Sequence, residues 1–450
     1  MDKQDENTHT LDSKFKNRIK KLCSTPMKKI AYLLEKWLFW ANVNRVIVEN
    51  PDALKLSNAP STSYLSGHWS HIDSPVVHDA FRHYDIEDPE LIFGGNLKIF
   101  YPILSQYGHV IERKNTIKQL NQTTNKFSNL LIKGHRLLMY PGESPKSGRS
   151  WDGLHQEFSD FPAICIGRAC EYKVKDKVED EINTKVEDGV NSKVCLFSIN
   201  YDPYTPEENL LQYRLKFNKK ILNRISESIE WVLVMVPIIM ERPNTHIKFD
   251  NPVSFAELVE ISKLLPDKVE DGINAEVEFD SLAYEKQYPI LKNKEKDFEE
   301  IRKQYNSKSD EEKSEFFKEI RKNYMSLSGM DKVSLRRKFT SYLTYRERKL
   351  FMPNRLDLLC ASIKVSKNGE EYEIKDIVEK MLQLRQTLDN SGYDTSLIPD
   401  ISDFMEKFKD DYVVKIEGNK TRVKNKDLLE YHANRILSLP LHYDKGNFVN

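Results

Sequence analysis

Tyr64-Leu65-Ser66-Gly67-His68-Trp69-Ser70-His71-Ile72-Asp73-Ser74-Pro75 is the stretch on which the reading of this chain turns. Its first residues are strand-like, and the strand is expected to end at Gly67. Asp73 or Ser74 then caps a helix, with Pro75 near the first turn, where a missing N–H costs nothing. His68 and Asp73 therefore stand five apart in a loop between a strand end and a helix start, not on one helical face. Such a turn folds Asp73 back onto the His68 imidazole. An imidazole held and polarised by a carboxylate is a general base, and with no serine or cysteine nucleophile beside it the base deprotonates the substrate's own hydroxyl. Two plainer readings stand beside this one. His68, His71, Asp73 and His78 also have metal-ligand chemistry, although no second ligand cluster of recognisable spacing follows. Histidines gathered at a capped helix start also occur with no chemical role.

Outward from this stretch, short β-rich runs alternate with helical patterns from Arg45 to about Pro266. Strands are predicted at 46–48, 63–66, 91–93, 109–112, 137–140, 194–199, 232–239 and 246–249, and helices at 116–133 and 210–229. This alternation predicts an α/β fold with a mixed, mostly parallel sheet flanked by helices. Three further polar stretches lie at predicted strand ends, the side of such a sheet where ligands bind. They are Phe93-Gly-Gly-Asn-Leu97, the run from Tyr107 to Lys114, and the run from Tyr140 to Arg149. Arg113 offers a planar fork suited to a phosphate, Lys146 or Arg149 a second cation, and Gly142 or Gly148 a backbone open to close approach. A solvated turn is the bland alternative for 140–149.

Bulk composition removes several classes. Lys+Arg and Asp+Glu both total 69, so the net charge is zero and no nucleic-acid partner is expected. Aromatic residues at 10% are too many for a disordered chain. The five cysteines show no C-x-x-C and read as ordinary reduced thiols, not as a disulfide framework or a zinc site. The longest apolar run, Trp231 to Met240, falls far short of the ~18 residues of a membrane span and reads as a buried strand. The polar start of the chain lacks the apolar core of a secretory leader.

Residues 1–43 form a basic segment in which Met27, Ile30, Ala31, Leu34, Trp37, Leu38 and Ala41 recur at helical spacing. A helix there either packs on the protein's own core or lies on an anionic bilayer, with lysines at headgroups and tryptophans at the boundary. Residues 44–266 make the α/β domain, with a repeat insertion at 175–193. Residues 267–450 are a charged helical region. The octads KVEDEINT (177–184), KVEDGVNS (185–192) and KVEDGINA (268–275) read as surface segments without chemistry.

In this order the stretches resemble the glycerolipid acyltransferase superfamily, and within it the bacterial-type glycerol-3-phosphate acyltransferases and their dihydroxyacetone-phosphate relatives. GHWSHID resembles that family's H-x4-D block, GGNL with YGHVIERK its second block, PGESPKSGR its third, and VCLFSINYDP (194–203) its fourth. Leu429-Glu-Tyr431-His-Ala-Asn434-Arg435-Ile436-Leu437 resembles the terminal helix of the glycerol-3-phosphate branch. The resemblance implies His68 as base and Asp73 as its orienting partner. It implies Arg113 and Lys146, with Arg149, on the acceptor phosphate, and Glu143 and Ser147 on the acceptor hydroxyls. The implied donor is an acyl thioester, acyl-CoA or acyl carrier protein; the implied acceptor is the sn-1 hydroxyl of glycerol 3-phosphate. Neither a metal nor another cofactor is implied, and the expected location is peripheral, on the cytoplasmic face of a membrane. An sn-2 or dihydroxyacetone-phosphate acyltransferase is the near alternative, and an inactive membrane-surface scaffold the distant one. Trp69, Ser144 and Lys146 depart from the family's usual arginine, glycine and arginine.

Overall fold

In the computed structural model, which describes residues 33, 36, 43–70, 72–94, 108–111, 117–141, 155, 157–172, 190–202, 204, 242–271, 275–366, 371–398 and 413–441, strand and helix alternate from the outset. The elements are β1 (Arg45–Val48), α1 (Pro51–Leu56), β2 (Thr62–Leu65), α2 (Asp73–His83), β3 (Glu90–Gly94), β4 (Gly108–Ile111), α3 (Ile117–Ile132), β5 (Leu137–Met139), α4 (Phe161–Glu171), β6 (Lys193–Asp202), β7 (Asn244–Phe249), β8 (Val253–Ser254) and α5 (Phe255–Lys263). The strand expected at 232–239 and the helix expected at 210–229 lie outside the described residues, as does the basic segment apart from Leu33, Lys36 and Val43.

The strands form one sheet in the order β1-β7-β6-β2-β5-β3-β4, with β8 also on β6. Every pairing from β6 through β2, β5 and β3 to β4 is parallel, and so is β1 with β7. Strands β7 and β8 run antiparallel to β6. The sheet is thus mixed and mostly parallel, and helices cover it. Residues 194–201 of β6 are all buried, the pattern of a strand covered on both faces.

Side chains of successive residues go to opposite faces. On one face Tyr64, Leu138, Cys195, Phe197 and Phe249 meet Val76, Val77, Ala80 and Phe81 of α2. Phe81 stands edge-on to Tyr64, with ring centres 4.8 Å apart. On the other face Leu65, Leu137, Met139, Val194 and Leu196 meet Phe127 and Leu131 of α3 and Ala163, Ile166 and Ala169 of α4.

Beyond residue 267 come β9 (Lys268–Asp271), β10 (Ala275–Glu278), α6 (Tyr284–Asn293), α7 (Glu295–Asn306), α8 (Asp310–Ser326), α9 (Gly329–Lys349), α10 (Arg355–Val365), β11 (Glu371–Glu373), α11 (Ile374–Asn390), β12 (Val414–Glu417), β13 (Lys420–Val423) and α12 (Lys426–Leu437). This region is mainly helical, as its composition predicts. It also holds a small antiparallel sheet, β11-β13-β12, that charged composition hides. The third octad is more than loop: its KVED segment is β9, paired antiparallel with β10 so that Val269 faces Val277.

Helices α6 to α9 join the core on the face covered by α3 and α4. Phe255 of α5 meets Tyr324 of α8 and Phe339 of α9 edge-to-face, at 5.1 and 5.8 Å. The second half of α9 is enclosed despite its charge, with Lys338, Glu347 and Arg348 all buried. Helices α10 and α12 pack around a second core. Inside it, Asp357 accepts from His432 Nδ1 at 2.8 Å and from Arg435 Nη1 at 3.3 Å, all three side chains being inaccessible to water. Asp357 also completes a capping box with Asn354 at the start of α10. Asp357→Ala is expected to destabilise the protein by ~3–5 kcal/mol, because it removes the anion paired with the buried Arg435 guanidinium and the acceptor of His432 Nδ1; urea unfolding followed by far-ultraviolet circular dichroism measures it, and a loss below 1 kcal/mol would contradict the assignment.

Candidate active site

Strand β2 ends at Leu65, and the chain then turns away from the sheet before α2 begins at Asp73. Asp73 does not cap α2 from the cap position, as the sequence suggested. The cap residue is Ile72, which makes no side-chain capping bond, and Asp73 is the first helical residue. Its carboxylate instead turns back over the loop that precedes it. Oδ2 accepts from His68 Nδ1 at 2.8 Å, from the Trp69 N–H at 2.8 Å and from the Ser70 N–H at 2.9 Å. Oδ1 accepts from the Tyr201 hydroxyl at 2.6 Å. A carboxylate taken wholly out of water needs this many donors, and the loop backbone supplies two of them.

With Nδ1 donating to Asp73, the imidazole carries its basic lone pair on Nε2. The ring stacks on Tyr140, which follows β5, with centres 4.6 Å apart and planes 24° from parallel. Burial, reinforced by the nearby Asp73 charge, holds the Tyr140 phenol well above its ordinary range, so the ring stays neutral. The His68 side chain remains 16% exposed, while that of Asp73 has no exposure. An oriented, accessible base on a buried anion can take a proton from a hydroxyl.

The C-terminal helices form the back of the site. Trp69 is buried edge-on to His155 at 5.1 Å and tilted over Phe351 at 6.2 Å. The Arg435 guanidinium of α12 lies 5.1 Å from the Trp69 ring, within cation–π range. His155 Nε2 donates to the Arg435 carbonyl at 3.0 Å. Burial, with Arg348 beside it, pushes the His155 imidazole well below the usual histidine range. Asn354 Nδ2 donates to the Tyr201 carbonyl at 2.7 Å, and Asn200 Oδ1 accepts from the Met352 N–H at 3.0 Å. The end of β6 is thereby tied to the α9–α10 connection.

Of the residues singled out in the sequence, the structure brings His68 and Asp73 together. Arg113, Glu143, Lys146, Ser147 and Arg149 lie outside the described residues, as does His71. The strands that lead toward them are described: β4 and β5 run parallel to the sheet that carries β2, so they end at the same edge as the strand leading to His68. His78 is buried within α2. Among the described residues no three His, Cys, Asp or Glu side chains gather to hold a metal ion. Tyr201 and Glu347 are the residues that sequence reasoning passed over. Tyr201 sits in the quoted run VCLFSINYDP, but only the pairing of β6 beside β2 shows what its hydroxyl meets. Compared with models of known protein families and with curated proteins, the chain matches none.

Glu347 of α9 reaches the same loop from behind, its Oε1 accepting the Gly67 N–H at 3.1 Å. Burial raises its carboxyl from an ordinary 4.5 to about 7, the Gly67 N–H and the Arg348 charge offsetting only part of that cost. The sign follows from linkage. A folded-state value above the unfolded one contributes stability that is whole below about pH 4.5 and is lost as pH rises through 7. At one pKa unit per 1.36 kcal/mol the ionised group costs about 3 kcal/mol. Glu347→Gln is therefore expected to unfold at a higher temperature than the wild type at pH 8.5 and at nearly the same temperature at pH 5; a difference that does not grow with pH would show that Glu347 is not a buried titrating group.

Proposed function

We propose that the protein is an O-acyltransferase that moves a fatty acyl group from a thioester donor, acyl-CoA or acyl carrier protein, to the sn-1 hydroxyl of glycerol 3-phosphate. The observation that carries the reading is the 2.8 Å His68–Asp73 bond at the edge where the parallel strands end. The resemblance of the quoted blocks to glycerol-3-phosphate acyltransferases supplies the substrates. In this reading His68 Nε2 takes the acceptor hydroxyl proton as the oxygen attacks the thioester carbonyl. The tetrahedral oxyanion collapses, the C–S bond breaks, and the imidazolium returns its proton to the departing thiolate. One ester forms, one thiol leaves, and His68 is again neutral. Asp73 stays ionised throughout, holding the ring and offsetting the imidazolium charge. Arg113, with Lys146 and Arg149, holds the acceptor phosphate by charge-assisted hydrogen bonds, and Glu143 and Ser147 hold its hydroxyls. Lys146 keeps a positive charge but not a bidentate fork, so Arg149 shares the phosphate. The reading uses no metal or other cofactor and no covalent acyl-enzyme.

Purified protein incubated with labelled glycerol 3-phosphate and an acyl thioester is expected to yield labelled lysophosphatidate and free thiol in equal amounts. In that assay folded His68→Ala should lose a factor of ~10²–10⁴ in kcat, and Asp73→Asn most of its activity. Near-normal turnover by His68→Ala would end the mechanism. A higher kcat/KM for 1-acylglycerol 3-phosphate or dihydroxyacetone phosphate would move the protein to a neighbouring branch, and no turnover on any of them would favour the scaffold.

The second part of the proposal is location: a peripheral protein on the cytoplasmic face of a membrane, bound to anionic lipid through its basic N-terminal segment. Among the described residues no helix is long and apolar enough to cross a membrane. The support is the sequence of residues 14–41, with its Lys/Arg excess and Trp37 and Trp40. Each basic residue near such a surface contributes ~1 kcal/mol that salt screens. Binding to anionic liposomes should weaken from low to high salt and disappear when residues 1–41 are deleted; unchanged binding after that deletion would place the helix on the protein's own core.

A further inference from the structure

Two carboxylates hold the backbone of the loop that carries His68, and one of them lies outside the His–Asp pair. On the helix side Asp73 takes the Trp69 and Ser70 N–H groups. On the strand side Glu347 takes the Gly67 N–H, from a helix 280 residues further along the chain. The approach is close: a Cβ on Gly67 would lie 3.1 Å from Glu347 Oε1, so a side chain there would press on the carboxylate. The same turn of α9 holds the chain that follows β5. Thr344 Oγ1 accepts the Phe158 N–H at 3.1 Å, and Arg348 Nη2 donates to the His155 carbonyl at 3.2 Å.

We propose that Glu347 is a positioning residue for His68, its carboxylate fixing the Gly67 backbone on the strand side of the imidazole as Asp73 fixes it on the helix side. The proposal rests on the reading of His68 as the general base. Asp73 and the packed Trp69 ring hold the loop from His68 onward, and Glu347 holds the Gly67 N–H that precedes it. With Gly67 also held, Nε2 has one direction, and a base off by an ångström loses much of its effect. Ionised Glu347 grips the N–H more strongly than the neutral acid does, because charge-assisted bonds are about twice as strong. Among the described residues, three elements face it. The sheet edge presents the Gly67 N–H, α6 presents the Tyr284 hydroxyl, and its own helix presents Arg348, whose guanidinium lies 3.8 Å over the Tyr284 ring. Beyond Arg348 stand His155 and Arg435. Burial outweighs the Arg348 charge, so the carboxyl changes charge near neutral pH.

The direct test reads the backbone and not turnover. In full-length protein labelled with ¹⁵N-glycine, the Gly67 amide resonance, identified by its loss in Gly67→Ala, should shift downfield with a midpoint near pH 7 in the wild type and stay fixed in Glu347→Gln. In the assay, Glu347→Ala should lower kcat ten- to a hundredfold with both KM values within twofold, whereas Glu347→Gln, which keeps an acceptor oxygen, should stay within about fivefold of wild type. The acid limb of kcat/KM should carry, besides the ionisation of the base, a shoulder of no more than about fivefold with a midpoint near pH 7 in the wild type that is absent in Glu347→Gln. A Gly67 amide indifferent to pH, or a Glu347→Ala enzyme with unchanged kcat, overturns the proposal. Should Glu347→Ala fail to fold, the wild-type titration and the Glu347→Gln profile still decide it. A titrating Gly67 amide in a protein without acyl transfer would overturn the proposed function and leave the backbone anchor standing.

Discussion

The Asp73 carboxylate has no contact with water, and the edge of the sheet is organised around the donors it needs. Four hydrogen bonds converge on its two oxygens, from an imidazole, two backbone N–H groups and a phenol. Each constrains a different element. The N–H groups of Trp69 and Ser70 close the loop after β2, the His68 bond fixes the ring, and the Tyr201 hydroxyl ties α2 to the far end of β6. Removing the carboxylate would take the acceptor from the buried Trp69 and Ser70 N–H groups, where each unsatisfied group costs ~1–3 kcal/mol. That cost is why the helix start takes an unusual form. A side chain at the first helical position is free to cap its own helix, and here it is committed backward.

The region beyond residue 267 is part of this arrangement through packing. Its aromatic residues complete the core under α3, α4 and α5, and its polar residues reach the site from behind. Glu347, Thr344 and Arg348 come from one turn of α9, and Arg435 comes from α12. Trp69 stands among them, its ring contacting His155, Phe351 and the Arg435 guanidinium. An apolar ring at that position gives the C-terminal helices something to pack on, and the loop gains a rigid backing.

The sheet was legible in the sequence because its strands are short apolar runs with clear breaks, and seven of the eight predicted strands coincide with β1 to β7 within a few residues. The His68–Asp73 pair was legible because five positions across a turn leave the carboxylate few other places to go. Tyr201 and Glu347 were not, since one depends on strand order and the other on a helix packed 280 residues away. The second half of α9 misleads for a related reason: Lys338, Glu347 and Arg348 look like a solvated face, and become buried because each finds a partner inside. Helices α4 and α5 are largely apolar and buried, a composition that periodicity does not separate from strand.

The chain holds a second histidine–aspartate pair of the same length, and comparing the two shows what sets the first apart. His432 Nδ1 meets Asp357 Oδ1 at 2.8 Å, the same separation as His68 and Asp73. There the resemblance stops. Both side chains of the inner pair are at 0% exposure, and Asp357 is shared with Arg435 and with the cap of α10. No substrate hydroxyl can reach that imidazole, and its carboxylate already balances a guanidinium, so the arrangement holds α12 to α10. The outer pair differs in three respects: a partly exposed imidazole, a carboxylate whose other donors are uncharged N–H and O–H groups, and a place where parallel strands end. An uncompensated anion behind an accessible ring favours the imidazolium that a general base must become. The same two residue types at the same distance therefore lock one part of the molecule and leave an accessible imidazole in another, and what separates them is access and the charge already present on the carboxylate's other side.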